Sequence, residues 1–377
     1  MKKRLLIMAS LFYPQKNGGG PPVSIKNLVD SIYDEFDIYI ISKNHEINEK
    51  KPLPNINDGW NDFYFGKAFY FGYGTRTSSK LTKLIEEIKP DVIYQNSFFS
   101  YDDVFPVLKY AKIHGIKVII APRGGKFYPK RLAVGQKKKK LYTLLLRFFG
   151  LLKNIYFQGT GKEESQYIED FIKIKQDRIY NINNLSIVSY NNTLITKNSG
   201  NLKLIYVARI HPTKNLLGAI KYLKNVVGQV QYDIYGSIED NEYWRLCQIE
   251  ISKLPSNIQV NYKGSIEHDK VTQIISKYHA FYMPTTGENY GHSIVESLLI
   301  GRPVVISDTI PWNDINENKY GYVIKFGNED GFRSAIDKLI EMNDDLYQLY
   351  CKNAKEYINS KLKTENIVKK YIDMFNN

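Results

Sequence analysis

The sequence predicts an α/β protein made of two doubly wound domains facing a common cleft, and three observations predict it. The chain has 377 residues, longer than one hydrophobic core usually grows. Short β-type runs alternate with longer helical patterns, which specifies parallel sheets with crossover helices. The alternation then stops in a stretch rich in Asn, Ser and Gly, Ser189 to Asn201, and restarts at Leu202.

Taken in order, the β-type runs of the first half are Arg4 to Ala9, Asp37 to Ile41, Asp91 to Gln95, Lys117 to Ala121, Ile155 to Gln158 and Ile179 to Ile182. Those of the second half are Leu202 to Ala208, Tyr232 to Tyr235, Ile258 to Lys263, Ala280 to Met283, Pro303 to Ser307 and Tyr322 to Ile324. The expected domains are 1–195 and 196–355. The last stretch, about Asp345 to Phe375, is helical in pattern, and 356–377 is expected to pack back on the first domain. Met1 to Ser10 superficially resembles a signal peptide, but its apolar part is short and runs into Pro14 and a glycine cluster without a small-residue cleavage pattern. It reads as a first buried strand. No run approaches the roughly 20 apolar residues of a membrane span. Two cysteines, Cys247 and Cys351, without CxxC spacing argue against a disulfide framework or structural zinc and fit a reducing cytoplasm.

The formal net charge is +13, and it is concentrated. From Lys126 to Lys153 there are nine Lys or Arg and no Asp or Glu, including Lys137, Lys138, Lys139 and Lys140 directly before the apolar stretch Leu141 to Leu152. Such a run suits an anionic membrane surface or a lipid phosphate; a solvated lysine face before a core helix is the plainer reading. Nucleic acid would also explain the charge, but the basic residues are not interleaved with exposed aromatics and no nucleic-acid module is recognisable.

In open α/β sheets ligands bind outside the carboxyl ends of strands, so the residues there are the candidates. Glu288 and Glu296 lie in Thr285-Thr-Gly-Glu-Asn-Tyr-Gly-His-Ser-Ile-Val-Glu296, where an apolar run, a Pro/Gly loop and a helix opening near Gly291 follow one another. Glu288 is expected in the loop and Glu296 a turn or more into the helix, both facing one ligand with hydroxyls and a phosphate. Asn289, Gly291 and His292 flank them. Arg209 and Lys214 bracket the loop after Leu202 to Ala208, with a helix expected from Lys214 to about Val227. A forked and a point cation suit a diphosphate, and a helix amino terminus adds favourable charge without metal. No Asp-x-Asp loop suggests magnesium. Gly19, within Gly18-Gly-Gly20, permits close backbone approach to a ligand or forms a surface turn; it is not a dinucleotide fingerprint. Arg123 and Lys126, after Lys117 to Ala121, can meet a donor or acceptor phosphate, or Arg123 an interdomain carboxylate.

Gly287 to Ser297, followed by Gly301-Arg-Pro-Val-Val305, resembles the glutamate-x7-glutamate signature of retaining glycosyltransferase family 4, which has the GT-B fold of two Rossmann-like domains. Val207-Ala-Arg209 with Lys214 resembles that family's phosphate-binding Arg and Lys, and Pro90-Asp-Val-Ile93, Asn181-Ile-Asn-Asn184 and Lys263-Gly-Ser265 follow in its order. The resemblance implies a metal-independent hexosyltransferase without a cofactor, taking a UDP- or GDP-sugar. Glu288 would contact the sugar, Glu296 the ribose, and Arg209 and Lys214 the diphosphate. The implied acceptor is a glycan hydroxyl on a lipid diphosphate carrier, in lipopolysaccharide O-antigen, capsule or exopolysaccharide synthesis. The implied location is cytoplasmic, peripheral at the inner face of the cell membrane. Where many members carry a His, this chain has Arg123. A sugar-nucleotide epimerase or phosphorylase would keep the fold and change the chemistry.

Overall fold

The computed structural model describes residues 2–15, 19–47, 49–123, 136–186, 194–312, 314–315 and 319–377. The chain divides into two compact units, Met1–Leu185 with Thr364–Asn377, and Ser186–Lys363.

In the first unit the strands are β1 (Lys3–Ala9), β2 (Phe36–Lys43), β3 (Gly59–Phe63), β4 (Gly66–Phe71), β5 (Val92–Asn96), β6 (Lys117–Ala121), β7 (Ile155–Gly159) and β8 (Ile179–Asn181). They form one sheet in the order β3-β4-β2-β1-β5-β6-β7-β8. All neighbours are parallel except β3 and β4. Helices α1 (Gly20–Ile32), α2 (Ser78–Ile88), α3 (Tyr101–His114), α4 (Gln136–Phe148) and α5 (Lys162–Ile172) supply the crossovers. Both faces of the central strands are covered, so these read as continuous apolar runs: Leu5, Leu6 and Ile7 are fully buried.

The second unit holds β9 (Asn201–Val207), β10 (Gln229–Tyr235), β11 (Ile258–Tyr262), β12 (Ala280–Met283), β13 (Val304–Ser307) and β14 (Gly321–Ile324) in the order β11-β10-β9-β12-β13-β14. Every pairing is parallel. Its helices are α6 (Leu216–Tyr222), α7 (Asn241–Ile251), α8 (Val271–Ile275), α9 (His292–Leu299), α10 (Glu329–Glu341) and α11 (Asp344–Leu362), and α12 (Thr364–Asn376) returns to the first unit. There Phe375 meets the rings of Phe36 and Tyr94 at 5.7 and 5.3 Å, and Lys117 Nζ donates to the Met374 carbonyl at 2.7 Å.

Four features differ from the sequence expectations. The hairpin β3–β4 is additional; its aromatic-rich strands extend the first sheet beyond β2. The first unit ends at Leu185, not near residue 195, because Leu185 is in the core and its carbonyl accepts from Asn27 Nδ2 at 2.9 Å. The second unit runs to Lys363 rather than 355, because Tyr357, Ile358 and Leu362 of α11 are buried in its core. The helix after Lys214 is short: the Leu223 N–H turns back to the Ile220 carbonyl and ends α6 at Tyr222.

Candidate active site

The strand order of the second unit decides where its ligand edge lies. From β9 the chain winds through β10 and β11 on one side, then crosses to β12 and winds outward on the other. The order therefore reverses between β9 and β12, and the carboxyl ends of those two strands are the topological switch point. Arg209 and Lys214 follow β9; Glu288 and α9 follow β12.

Local hydrogen bonds hold these loops in register. After β9, Ala208 N–H donates to the Tyr235 carbonyl at 3.1 Å and Ile210 N–H to the Ser237 carbonyl at 2.8 Å. This zips the loop to the one after β10. The approach requires glycine: Gly236 has φ 151°, and a Cβ there would stand 1.9 Å from the Ala208 carbonyl oxygen. Glu239 is thereby carried to Arg209, whose Nη1 donates to both Glu239 carboxylate oxygens at 2.7 and 2.6 Å. The pair is about one-third exposed, at 37% and 30%.

Lys214 ends a 3-10 turn, Pro212–Lys214, and is followed by Asn215 in the left-handed region. Thr213 ties this turn to the loop after β12, its carbonyl accepting from Thr286 N–H and lying within reach of the Thr285 hydroxyl, both at 3.0 Å. Asn215 Nδ2 adds a bond to the Pro284 carbonyl at 2.9 Å. The result is an ion pair between Lys214 Nζ and Glu288 Oε1 at 2.5 Å, with side chains only 17% and 12% exposed. The buried Thr285 hydroxyl stands 3.1 Å from the same carboxylate oxygen.

Gly291 caps α9 in the left-handed region, φ 77°, where a Cβ would also crowd Ile294. Ser293 Oγ donates to the Val207 carbonyl at 2.9 Å, fixing the start of α9 against the end of β9. A turn later Glu296 is 3% exposed. Burial pushes its carboxyl above the ordinary value, an effect opposed by His268, whose Nε2 lies 3.7 Å away. Asn289 Oδ1 is buried with no hydrogen-bond partner among the described residues. His292 lies against the Tyr290 ring at 4.8 Å, with Nδ1 3.5 Å from Ser186 Oγ.

The structure thus gathers Arg209, Lys214, Glu288, Asn289, Gly291, His292 and Glu296 along one edge of one unit. The remaining candidates lie in the first unit. Gly19 is the N-cap of α1, with φ 66°. Arg123 directs its guanidinium inward: Nε donates to Asn96 Oδ1 at 3.0 Å, Nη2 to the Tyr94 hydroxyl at 2.7 Å, and Nη1 to Asn184 Oδ1. Lys126 falls outside the described residues. Lys137, Lys138 and Lys140 are exposed, whereas Lys139 is half-buried with Nζ 5.0 Å from the Phe99 ring centroid. Among the described residues no cluster of His, Cys, Asp and Glu could hold a metal ion, and no helix is long and apolar enough to cross a membrane.

Sequence reasoning missed Glu239, Thr213, Thr285, Ser293 and His268. Glu239 had a readable signal, since it follows Tyr232 to Tyr235 at a carboxyl end. The partnership with Arg209 did not, because it depends on β10 pairing beside β9.

Two doubly wound units, one carrying a cationic and acidic edge at its switch point, define the GT-B fold. Three comparisons with known proteins agree with that class. The crystal structure of HepE from Anabaena in complex with UDP and glucose superposes with a TM-score of 0.73, covering 99% of each chain at 13% identity. Poly(ribitol-phosphate) alpha-N-acetylglucosaminyltransferase of Staphylococcus aureus (strain COL) is 30% identical over 185 residues, which is 45% of this chain and 34% of that protein. An uncharacterized glycosyltransferase of Methanocaldococcus jannaschii is 23% identical across 99% of this chain and 98% of its own. Residues 194–357 match the model of the family described as Glycosyl transferases group 1. Over that segment, less than half of its length, the chain is similar to the group 1 glycosyl transferases.

Proposed function

We propose that the protein transfers a sugar, with retention of anomeric configuration, from a nucleotide-sugar to a hydroxyl of a glycan acceptor. The observation that carries this reading is the convergence of Arg209, Lys214, Glu288 and the amino end of α9 at one switch point. In the free protein both cations are paired with carboxylates on neighbouring loops. A diphosphate entering the edge exchanges those partners for its own oxygens. Arg209 and Lys214 then stabilise the charge that grows on it as the sugar bond breaks. They supply positive charge without calling on a divalent ion. Released from Lys214, Glu288 is placed to accept hydrogen bonds from sugar hydroxyls, and the buried carboxyl of Glu296 those of the ribose.

Chemically, the bond from C1 to the diphosphate oxygen breaks while the acceptor oxygen bonds to C1 on the same face. The acceptor proton passes to the departing phosphate, so neither glutamate acts as a nucleophile and no covalent glycosyl-enzyme forms. The donor is a UDP- or GDP-sugar, a reading supported by the UDP and glucose bound to HepE. The first unit takes the acceptor, a glycan on a lipid diphosphate at the inner face of the cell membrane in surface-polysaccharide synthesis. The Staphylococcus aureus relative supports a phosphate-linked acceptor, since its name gives poly(ribitol phosphate).

Thermal-shift titration with UDP, GDP and ADP, and with their sugars, tests the donor site, because a ligand bound only by the folded state stabilises it by mass action. A rise in Tm with one base is expected. Labelled donor turned over only when acceptor is present identifies transfer; product without acceptor identifies an epimerase, and no shift with any nucleotide overturns the site.

A further inference from the structure

Helix α4 is inside out for a helix of a globular core. At about 100° per residue, Leu144, Phe148, Leu141, Leu145 and Phe149 fall within one arc of about 140°. All five are exposed, by 60%, 83%, 59%, 46% and 52%. Phe149 continues the helix through its N–H bond to the Leu145 carbonyl at 3.0 Å. The opposite arc is the one that packs: Leu146 is 1% and Thr143 5% exposed, and the Tyr142 ring meets Tyr101 and Phe98 at 4.5 and 5.8 Å. The carboxyl end is anchored as well, with Lys112 Nζ donating to the Phe149 carbonyl at 2.8 Å and Arg147 to the Ile172 carbonyl. The outward arc is therefore held facing away from the unit's core by a well-packed inner face. Single exposed apolar residues are ordinary, but a contiguous face of five large ones marks an interaction surface.

Charge decides what covers it. Lys137, Lys138 and Lys140 are exposed in the first turns of the same helix, and on the same wheel Lys137 and Lys138 fall within the apolar arc itself. No Asp or Glu occurs from Lys126 to Lys153. A second copy seated on this face by a two-fold axis would bring two like-charged lysine clusters into one interface. An anionic bilayer instead pairs the ammonium groups with lipid phosphates while the Leu and Phe side chains enter the acyl boundary.

We propose that α4 is an interfacial helix lying in the plane of an anionic membrane, its apolar arc inserted and its lysines on the headgroups. This deepens the reading above by naming the surface on which a lipid-carried acceptor would be met. It differs from electrostatic docking by the lysine run, because insertion leaves a part of the binding that salt does not release.

The test is flotation of the full-length protein with vesicles of phosphatidylglycerol and phosphatidylcholine in equal parts, and with phosphatidylcholine alone, at low and high salt. Expected are binding to the anionic vesicles, a remnant that survives high salt, and a loss of about tenfold or more in partitioning for Leu144→Ser with Phe148→Ser. Lys137→Gln with Lys138→Gln and Lys140→Gln should abolish the preference for anionic lipid. All these positions are exposed, and an unchanged nucleotide thermal shift in each variant shows the fold and donor site to be intact. Absence of wild-type binding, binding unchanged in either variant set, or complete release by salt overturns the proposal. So does a concentration-dependent dimer that Leu144→Ser with Phe148→Ser dissolves. The nucleotide titration reads the donor site independently, so failure of one proposal is distinguishable from failure of the other.

Discussion

At the carboxyl edge of the second sheet Arg209 and Lys214 each meet a carboxylate on a neighbouring loop, whereas at the carboxyl edge of the first sheet Arg123 meets neutral oxygens of Asn96, Tyr94 and Asn184. The first unit does hold an ion pair near its edge, Arg76 with Asp103 at 2.8 Å, but it is buried, 12% and 6% exposed. The Arg209–Glu239 pair is several times more open. A partly exposed ion pair contributes little to stability because solvent screens it, and for the same reason it is cheaply exchanged for an incoming anion. A guanidinium spent on buried neutral acceptors is costly to move. The same doubly wound plan has thus yielded one edge with an open, exchangeable Arg209 beside the more enclosed Lys214–Glu288 pair, and one whose cations brace the fold.

Substitutions that remove the charges of the second sheet's edge should separate activity from stability most widely. Lys214→Ala and Glu288→Ala are each expected to lower transfer by about a hundredfold or more while circular dichroism remains that of the folded protein. Wild-type turnover in either variant would break the contrast at its stronger side.

Arg123 should behave in the opposite sense. Arg123→Met leaves Asn96 and Asn184 oxygens without their donor and is expected to cost about 2–3 kcal/mol of stability, read as a lower urea midpoint, with nucleotide binding to the second unit unchanged. Arg209→Ala, by comparison, should cost less than about 1 kcal/mol yet weaken nucleotide binding about tenfold or more. Equal losses of stability in the two variants would remove the distinction.

The smallest effect at neutral pH concerns which unit yields first in acid. His279, at the edge of β12, is buried and neutral, its Nδ1 accepting from Lys203 N–H at 2.9 Å. Burial lowers its pKa to about 4. Because the folded value is depressed, the unfolded chain binds the proton first: the stabilisation is complete above the ordinary value near 6.5 and is lost as pH falls through about 4. It amounts to about 3 kcal/mol at most. His279→Gln should flatten that acid dependence, and hydrogen exchange near pH 5 should rise in the second sheet of the wild type but not of the variant. An unchanged pH profile would dismiss His279 as the source.

Much of this arrangement was legible along the chain. The buried central strands could be read because parallel strands covered on both faces are uninterrupted apolar runs. Glu288 and Glu296 were legible because strand, Pro/Gly loop and helix opening follow within a few residues. The β3–β4 hairpin was only half legible: Gly59–Phe63 has no buried residue and hence no apolar run, whereas Ala68 to Phe71 of β4 is apolar and partly buried but follows no crossover helix of its own. The length of α6 was also missed, because the chain leaves the helix through successive short turns, Leu223 N–H to the Ile220 carbonyl and Lys224 N–H to the Lys221 carbonyl, within an unbroken helical sequence pattern.

By itself the sequence determined the class of fold, the edge on which the charged residues stand, and the glutamate and cation types gathered there; these follow from apolar periodicity and from chain-local turn chemistry. Only the tertiary structure decided the partnerships. That Arg209 holds Glu239, that Lys214 holds Glu288, that Arg123 is sunk among asparagines, and that the apolar arc of α4 faces outward depend on which strands neighbour one another and which helix face packs. Those are contacts between segments distant in sequence, and pairing distant segments is settled by burial of the whole core rather than by any local pattern.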